Sequence, residues 1–390
     1  MLQQTNKRET IMKIHFLGVP PTISSGYGCS AKHISTIFDD LNIEHYFQSI
    51  IPNLAMGEYN NKKVYPAWTK PHDYGNEFVR EIYNREKPDL VISLMDTFTM
   101  KPEIFKDINL AAYQVVDSIP YTRSCYPMLE VTNTKLTFSK FSHNQLNKDG
   151  IENTYIPLPI DPIYEYQDQS KAKIQLEKFF KCKFEKDSKI INIVGANVGT
   201  ESENRKDFAT MLRAYKYIQE VYPNTWLILH TEIMGREAGW NIAEFMYLNN
   251  IPTERILVCD QFMYRTHQID SSYLKMIYSA SDINLNNSRS GALELTTIES
   301  SACGCIPVAP TAHCTLDHVI DFHGIGIQGN LYPHQKSTTW HYSTVEEVCK
   351  AIDKAFSMKD SKQDRMERAK AAQSQYSLDI VQQYWENFLC

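Results

Sequence analysis

Hydrophobic positions along this chain follow two rhythms, short apolar runs and stripes that repeat every three or four residues. Residues 12–19, MKIHFLGV, form a run of the first kind; Pro-Pro-Thr-Ile-Ser-Ser-Gly-Tyr-Gly follows, then a helical stripe over residues 31–41. This opening predicts a strand, a glycine loop and a helix. Further strands are predicted at residues 45–50, 89–94, 111–116 and 135–138, with helices over 74–85 and 140–149. Pro157, Pro159 and Pro162 then interrupt the pattern, and a stretch rich in Lys and Glu runs to Lys189. Beyond it a second series begins: strand 190–194, helix 208–221, strand 225–230, helix 241–249, strand 256–258, helix 271–280, strand 283–285, helix 296–302 and strand 306–309. A last stripe, Ile380, Val381, Tyr384, Trp385 and Phe388, predicts a helix over 378–389.

Strands alternating with helices imply parallel sheets covered on both faces, so the expected class is α/β with two doubly wound, Rossmann-like halves. The boundaries are set at 12–165 and 166–370, with 371–390 as a closing helix. Folds of this kind bind ligands beyond the C-terminal ends of their strands, and two facing halves create a cleft.

Composition narrows the classes. At 390 residues the chain exceeds the size at which one core keeps growing. Hydrophobic content of 43% and charged content of 22% mark an ordinary globular protein. No run approaches the about 18 apolar residues a membrane span needs. Residues 1–11 lack the apolar centre of a secretory signal and read as a polar extension, with Met12 as an alternative start. The nine cysteines are scattered, Cys303 and Cys305 being the close pair, without the spacing of a disulfide framework or a zinc site. A reducing, cytoplasmic setting is therefore expected. The formal charge of −6 argues against a surface built for polyanions, but a local basic groove can hide in that average, so nucleic acid stays open as a partner.

The most informative stretch is residues 288–310, SRSGALELTTIESSACGCIPVAP. It reads as a loop, a helix opening on small and hydroxyl residues with Glu299 in it, a stop at Gly304 and a short apolar strand. Such a helix suits a nucleotide: an acid in it can accept the ribose hydroxyls, while first-turn amides from Leu295 and Thr296 onward face phosphates. Gly26 and Gly28, between the first strand and helix, can let the backbone approach a phosphate, though a plain tight turn explains them equally. Gly195 closes the strand at 190–194, and Arg205 and Lys206 after it can clamp a diphosphate with a planar fork and a point charge. A solvated helix start is the alternative, but cations at a helix N-terminus oppose its dipole and so favour an anion between them. Asp96 and Asp117 follow strands of the first half, where cleft residues sit; as carboxylates they can orient a hydroxyl or take its proton, and as Asp they can equally cap a turn. His230 ends a strand and can line the same pocket or be structural.

Taken together, these residues resemble the retaining glycosyltransferases of the GT-B fold, in particular the large group-1 family known as family 4. That family's signature is an acid, Gly-Phe-Gly-Leu, a second acid, Ala-Cys-Gly and Pro-Val. This chain supplies Leu295, Glu299, Ala302, Cys303, Gly304, Pro307 and Val308. Residues 278–288, Ser139 and the Pro157-Leu-Pro-Ile-Asp161 turn match as well, so the likeness spans Met12 to Cys390. It departs at the first acid, which is Gly291 here, and at Gly-Phe-Gly, which is Ala292-Leu293-Glu294. Asp117 stands where many relatives carry a histidine.

The resemblance implies transfer of a sugar from a UDP- or GDP-sugar to a hydroxyl acceptor with retention. The donor lies mainly in the second domain, a glycan or a membrane-surface lipid-linked acceptor in the first, and the last helix crosses back. Arg205 and Lys206 are expected to stabilise the leaving diphosphate, and Glu299 to bind the ribose. Main chain near Cys259 is expected to meet the base, and Asp96 or Asp117 to orient sugar or acceptor. Because Gly291 is not an acid, Glu294 or the backbone of 291–293 is expected to take over sugar contacts. This scheme requires no metal and no cofactor beyond the donor. The alternatives are transfer to a hydroxymethylated base of DNA, as in phage α-glucosyltransferases with a comparable acid and Ala-Cys-Gly segment, and a nucleotide-sugar-binding protein without turnover.

Overall fold

The computed structural model describes residues 12–51, 56–67, 72–235, 239–334 and 338–389. The reading of residues 1–11 lies outside them. No helix among the described residues is long and apolar enough to cross a membrane.

The first sheet contains β1 (Lys13–Gly18), β2 (Glu44–Ser49), β3 (Gly57–Tyr59), β4 (Lys62–Tyr65), β5 (Leu90–Leu94), β6 (Leu110–Tyr113), β7 (Thr134–Thr137) and β8 (Thr154–Tyr155). Their order is β3-β4-β2-β1-β5-β6-β7-β8, parallel throughout except for the β3–β4 hairpin. All residues of β5 and β6 are buried, which is why they read as unbroken apolar runs rather than as alternating strands. The second sheet contains β9 (Lys189–Val194), β10 (Thr225–His230), β11 (Ile256–Val258), β12 (Ile283–Leu285), β13 (Ile306–Pro310) and β14 (Ile325–Ile327), in the wholly parallel order β11-β10-β9-β12-β13-β14. A separate hairpin follows, β15 (Asn330–His334) with β16 (Thr338–Tyr342).

The strand order reverses at β1, flanked by β2 and β5, and at β9, flanked by β10 and β12. Each reversal leaves a crevice at the C-terminal ends of the strands. Bonds between the halves fix the crevices relative to one another. The Gly291 amide donates to the Asp117 carbonyl (3.0 Å), and the Thr339 hydroxyl to the Ile119 carbonyl (2.8 Å). The Phe141 amide, in the first turn of helix Lys140–Lys148, donates to the Asp317 carboxylate (2.8 Å), and Lys140 pairs with Asp321 at 2.7 Å. The last helix, Leu378–Leu389, returns to the first domain: Trp385 is fully buried, its ring 5.1 Å from that of Phe38 and 6.4 Å from that of Tyr113.

Two elements differ from expectation near the site. The helix predicted to begin at Ala31 begins at Gly26, because Ser25 caps it by accepting the Gly28 amide at 3.1 Å. Gly26-Tyr27-Gly28 is therefore a first helical turn rather than a loop. The charged stretch before Lys189 contains helix Gln169–Phe180, capped by Asp168; it buries only Ala172 and Leu176, too thin a stripe to show as a pattern.

Candidate active site

Both crevices open on one cavity of about 460 Å³, within the range of small-molecule sites. The first domain contributes Ser25, Gly26 and Tyr27 from the helix start, Asp96 after β5, Val115 and Asp117 after β6, and Phe138 and Leu158. From the second come Gly195 and Ala196 after β9, then Arg205 and Lys206, and Ala292, Leu293, Glu294, Leu295 and Thr296 leading into helix Leu295–Ala302. The structure thus brings Arg205, Lys206, Asp96, Asp117, Gly26, Gly195, Glu294, Leu295 and Thr296 together. Asp96 precedes a short 3-10 turn, Thr97–Thr99, but its side chain makes no capping bond, and Asp117 Oδ1 accepts from the Ser118 hydroxyl at 2.9 Å.

Glu294 is the hub of the second-domain wall. Its carboxylate accepts from Arg205 Nη1 at 2.9 Å, from Lys206 Nζ, and from Asn286 Nδ2 at 3.1 Å. Burial alone would raise its pKa, but the two cations outweigh burial and hold it at about 2. Lys206 is lowered by its own burial, against the pull of Glu294. Since Glu294 remains a carboxylate, the ion pair with a protonated Lys206 is the form that the geometry supports. Arg205 also donates to the Ser290 carbonyl at 2.6 Å, while its side chain, 43% exposed, lines the cavity. The stem of Lys206 runs along Gly195, where a Cβ would stand 3.5 Å away. Because Glu294 is turned towards the cations it does not cap the helix that follows, so the amides of Leu295 and Thr296 begin it at the cavity wall.

Four expected residues lie elsewhere. Gly28 does not line the cavity; its amide is taken by Ser25, and a Cβ there would stand 1.9 Å from the Ile23 carbonyl oxygen. Its role is close packing of the loop. At Gly26 a Cβ meets only Leu295, at 3.6 Å. Gly28→Ala should therefore lower stability by about 1–3 kcal/mol in a denaturant titration, whereas Gly26→Ala should stay within about 0.5 kcal/mol of the parent. Cys259 is buried away from the cavity, its thiol against the Thr231 carbonyl at 3.5 Å and pushed up to about 11 by burial. His230 is structural, its ring between those of Tyr264 and Tyr273.

Glu299 is the fourth. It faces a separate pocket of about 20 Å³ that shares only Leu295 with the main cavity, alongside His33, Asp161, Tyr164 and Ser271. Its Oε2 accepts from the Tyr278 hydroxyl at 3.0 Å, and burial pushes its pKa up to about 7 from 4.5. The folded protein keeps this proton to higher pH than the unfolded chain, so the contribution of Glu299 to stability falls as pH rises from about 4.5 to about 7. Glu299→Gln should be more stable than the parent by about 3 kcal/mol at pH 8, with no difference at pH 4. Paired urea titrations across that range give the readout.

Sequence reasoning passed over Tyr27, whose phenol is pushed up by burial and by its nearness to Asp96. It also passed over the buried pair of Arg289 and Asp207 at 2.9 Å, which with Asn287 ties the two second-domain loops together beneath the cavity. Tyr27 was legible as a neighbour of the two glycines, whereas the Arg289 pair joins residues far apart in sequence and left no local signal.

Comparison of the sequence with protein-family profiles and with curated proteins gives no match. The fold is shared widely. Sucrose-phosphate synthase from Thermosynechococcus elongatus superposes with a TM-score of 0.73 at 14% identity, over 97% of this chain and 98% of that one. WaaG, a glycosyltransferase involved in lipopolysaccharide biosynthesis, gives 0.66 at 11% identity. The catalytic domain of starch synthase IV from Arabidopsis thaliana, bound to ADP and acarbose, gives 0.63 at 12%. Coverage is again 97% of this chain and 98% of the other in both cases. Two parallel sheets facing across a cleft, matched over nearly the whole chain, give this protein the GT-B fold.

Proposed function

We propose that this chain is a glycosyltransferase that moves a sugar from a nucleoside diphosphate sugar, with UDP- and GDP-sugars as first candidates, to a hydroxyl of a saccharide or lipid-linked glycan, with retention of configuration. The observation that carries the reading is the meeting of Arg205 and Lys206 with two helix N-termini, at Gly26 and Leu295, around one cavity between the domains. Cations and first-turn amides converge there on a volume suited to a diphosphate.

In this scheme the sugar points to the first-domain wall, where Asp96, Asp117 and Tyr27 present acceptors and a hydroxyl. The bond from the anomeric carbon to the diphosphate oxygen breaks while the acceptor oxygen bonds to the same face. The acceptor proton passes to the departing diphosphate. Stabilising that leaving group is the main protein contribution, and it falls to Arg205, Lys206 and the helix amides. The ribose extends past Leu295 towards Glu299, which requires the small pocket to open. The lining sets Arg205 and Lys206 against Asp96, Asp117 and Glu294, a balance that favours a neutral acceptor over DNA.

Thermal unfolding with UDP, GDP and ADP tests donor binding. A diphosphate at about 100 times its dissociation constant adds about 2.7 kcal/mol of stability. Glu299→Ala should abolish the shift given by the nucleoside diphosphate while sparing that given by pyrophosphate. Equal nucleotide shifts in parent and variant remove the ribose assignment.

A further inference from the structure

A carboxylate already rests on the two cleft cations, and the backbone has been arranged to put it there. Glu294 has φ +59°, a left-handed conformation that costs a residue with a Cβ of order 1 kcal/mol. Its side chain lies where a neighbour's would be. A Cβ on Gly291 would stand 2.4 Å from Glu294 Oε1 and 2.8 Å from its Cγ. Gly291 thus vacates the volume that the Glu294 carboxylate fills, and Asn286 holds that carboxylate from behind with a bond of 3.1 Å. The same Asn286 amide reaches the Thr297 hydroxyl at 3.0 Å, tying the acid to the helix that opens at the cavity.

We propose that Glu294 is a positioning residue for the anionic end of the donor, and that Gly291 and Glu294 form one unit supplying a single carboxylate beside Arg205 and Lys206. The inference rests on the donor reading above. The carboxylate fixes both cations from one side, so that their remaining donors face the cavity, and it reduces their joint charge from two to one. The first effect raises turnover by holding the cations where leaving-group charge develops. The second weakens ground-state hold on a diphosphate and so speeds its release.

The two effects have opposite signs, which a purely structural role for Glu294 does not produce. Glu294→Gln should bind inorganic pyrophosphate about tenfold more tightly by calorimetry, because a negative charge beside the site is gone. It should also turn over the best of UDP-, GDP- and ADP-glucose at least about tenfold more slowly. Gly291→Ala keeps the charge but pushes the carboxylate aside, so it should lose turnover with a smaller change in pyrophosphate affinity. The exchange Gly291→Glu/Glu294→Gly returns an acid to the same volume and puts glycine at the left-handed position. It should recover turnover to within about threefold of the parent, while Glu294→Gly alone stays at least about tenfold below.

A parent that binds none of UDP, GDP, ADP or pyrophosphate removes the donor reading and this inference with it. With a binding parent, equal pyrophosphate affinity and turnover in Glu294→Gln remove the inference alone. If Glu294→Gln does not fold, the exchange decides: turnover no better than that of Glu294→Gly overturns the shared-carboxylate unit.

Discussion

Replacing Arg205 by alanine is expected to lower turnover of a sugar-nucleotide donor by about a hundredfold to a thousandfold, the loss seen when one preorganised donor to a developing anion is removed. Arg205 is the better choice than Lys206 for this test. Its side chain is 43% exposed, against 15% for Lys206, and without it Glu294 keeps Lys206, the more deeply buried of its two cations. Lys206→Ala would remove the more deeply buried of the two cations on Glu294 and mix a catalytic loss with unfolding. Release of nucleoside diphosphate under saturating donor gives the number, and an unchanged melting temperature certifies the fold. A fall of less than about threefold would mean that the guanidinium does not meet the leaving group.

Trp385→Ala should produce the largest loss of stability, about 3–5 kcal/mol. Trp385 is fully buried although it lies close to the chain end, and it packs edge-on against Phe38 and Tyr113 of the first domain. Phe38 belongs to the helix whose first turn, Gly26 and Tyr27, lines the cavity. The last helix is thus a strap from the second half of the chain onto the element that presents the first-domain side of the site. Chemical denaturation of the variant beside Trp385→Phe, which keeps a ring in place, separates lost packing from lost volume. A change under about 1 kcal/mol would show that the helix is not anchored there.

Much of this architecture was legible in the chain because buried parallel strands and capped helices write strong local patterns. The helices at Phe208–Val221 and Ser271–Ala280 and the strands at Thr225–His230 and Ile283–Leu285 stand where the periodicity put them. The start of the first helix was not legible, because two glycines signal a turn and only the Ser25 cap converts them into helix. Helix Lys362–Tyr376 carries little amphipathic signal, since two of its buried positions are Arg365 and Arg368, which bond main-chain carbonyls of Ser281, Ser279 and Gly304. Those partners are far off in sequence.

At the site, residue type and position after a strand were enough to bring Asp96, Asp117, Arg205 and Lys206 to one cavity. They could not show that Glu294 takes the space left by Gly291, because that depends on a left-handed residue and a packing distance. Nor could they show Glu299 turned into a second pocket against Tyr278. An acid in the first turns of a helix reads the same from sequence whichever side its carboxylate takes.

The most direct measurement is release of nucleoside diphosphate from a panel of UDP-, GDP- and ADP-sugars, with and without mono- and oligosaccharide acceptors, for the parent and for Arg205→Ala. One donor should be consumed by the parent, faster with an acceptor present, and that activity should fall by at least about a hundredfold in the variant. Binding without turnover of any donor, or turnover that Arg205→Ala leaves intact, would contradict a glycosyl-transfer site built on these cations.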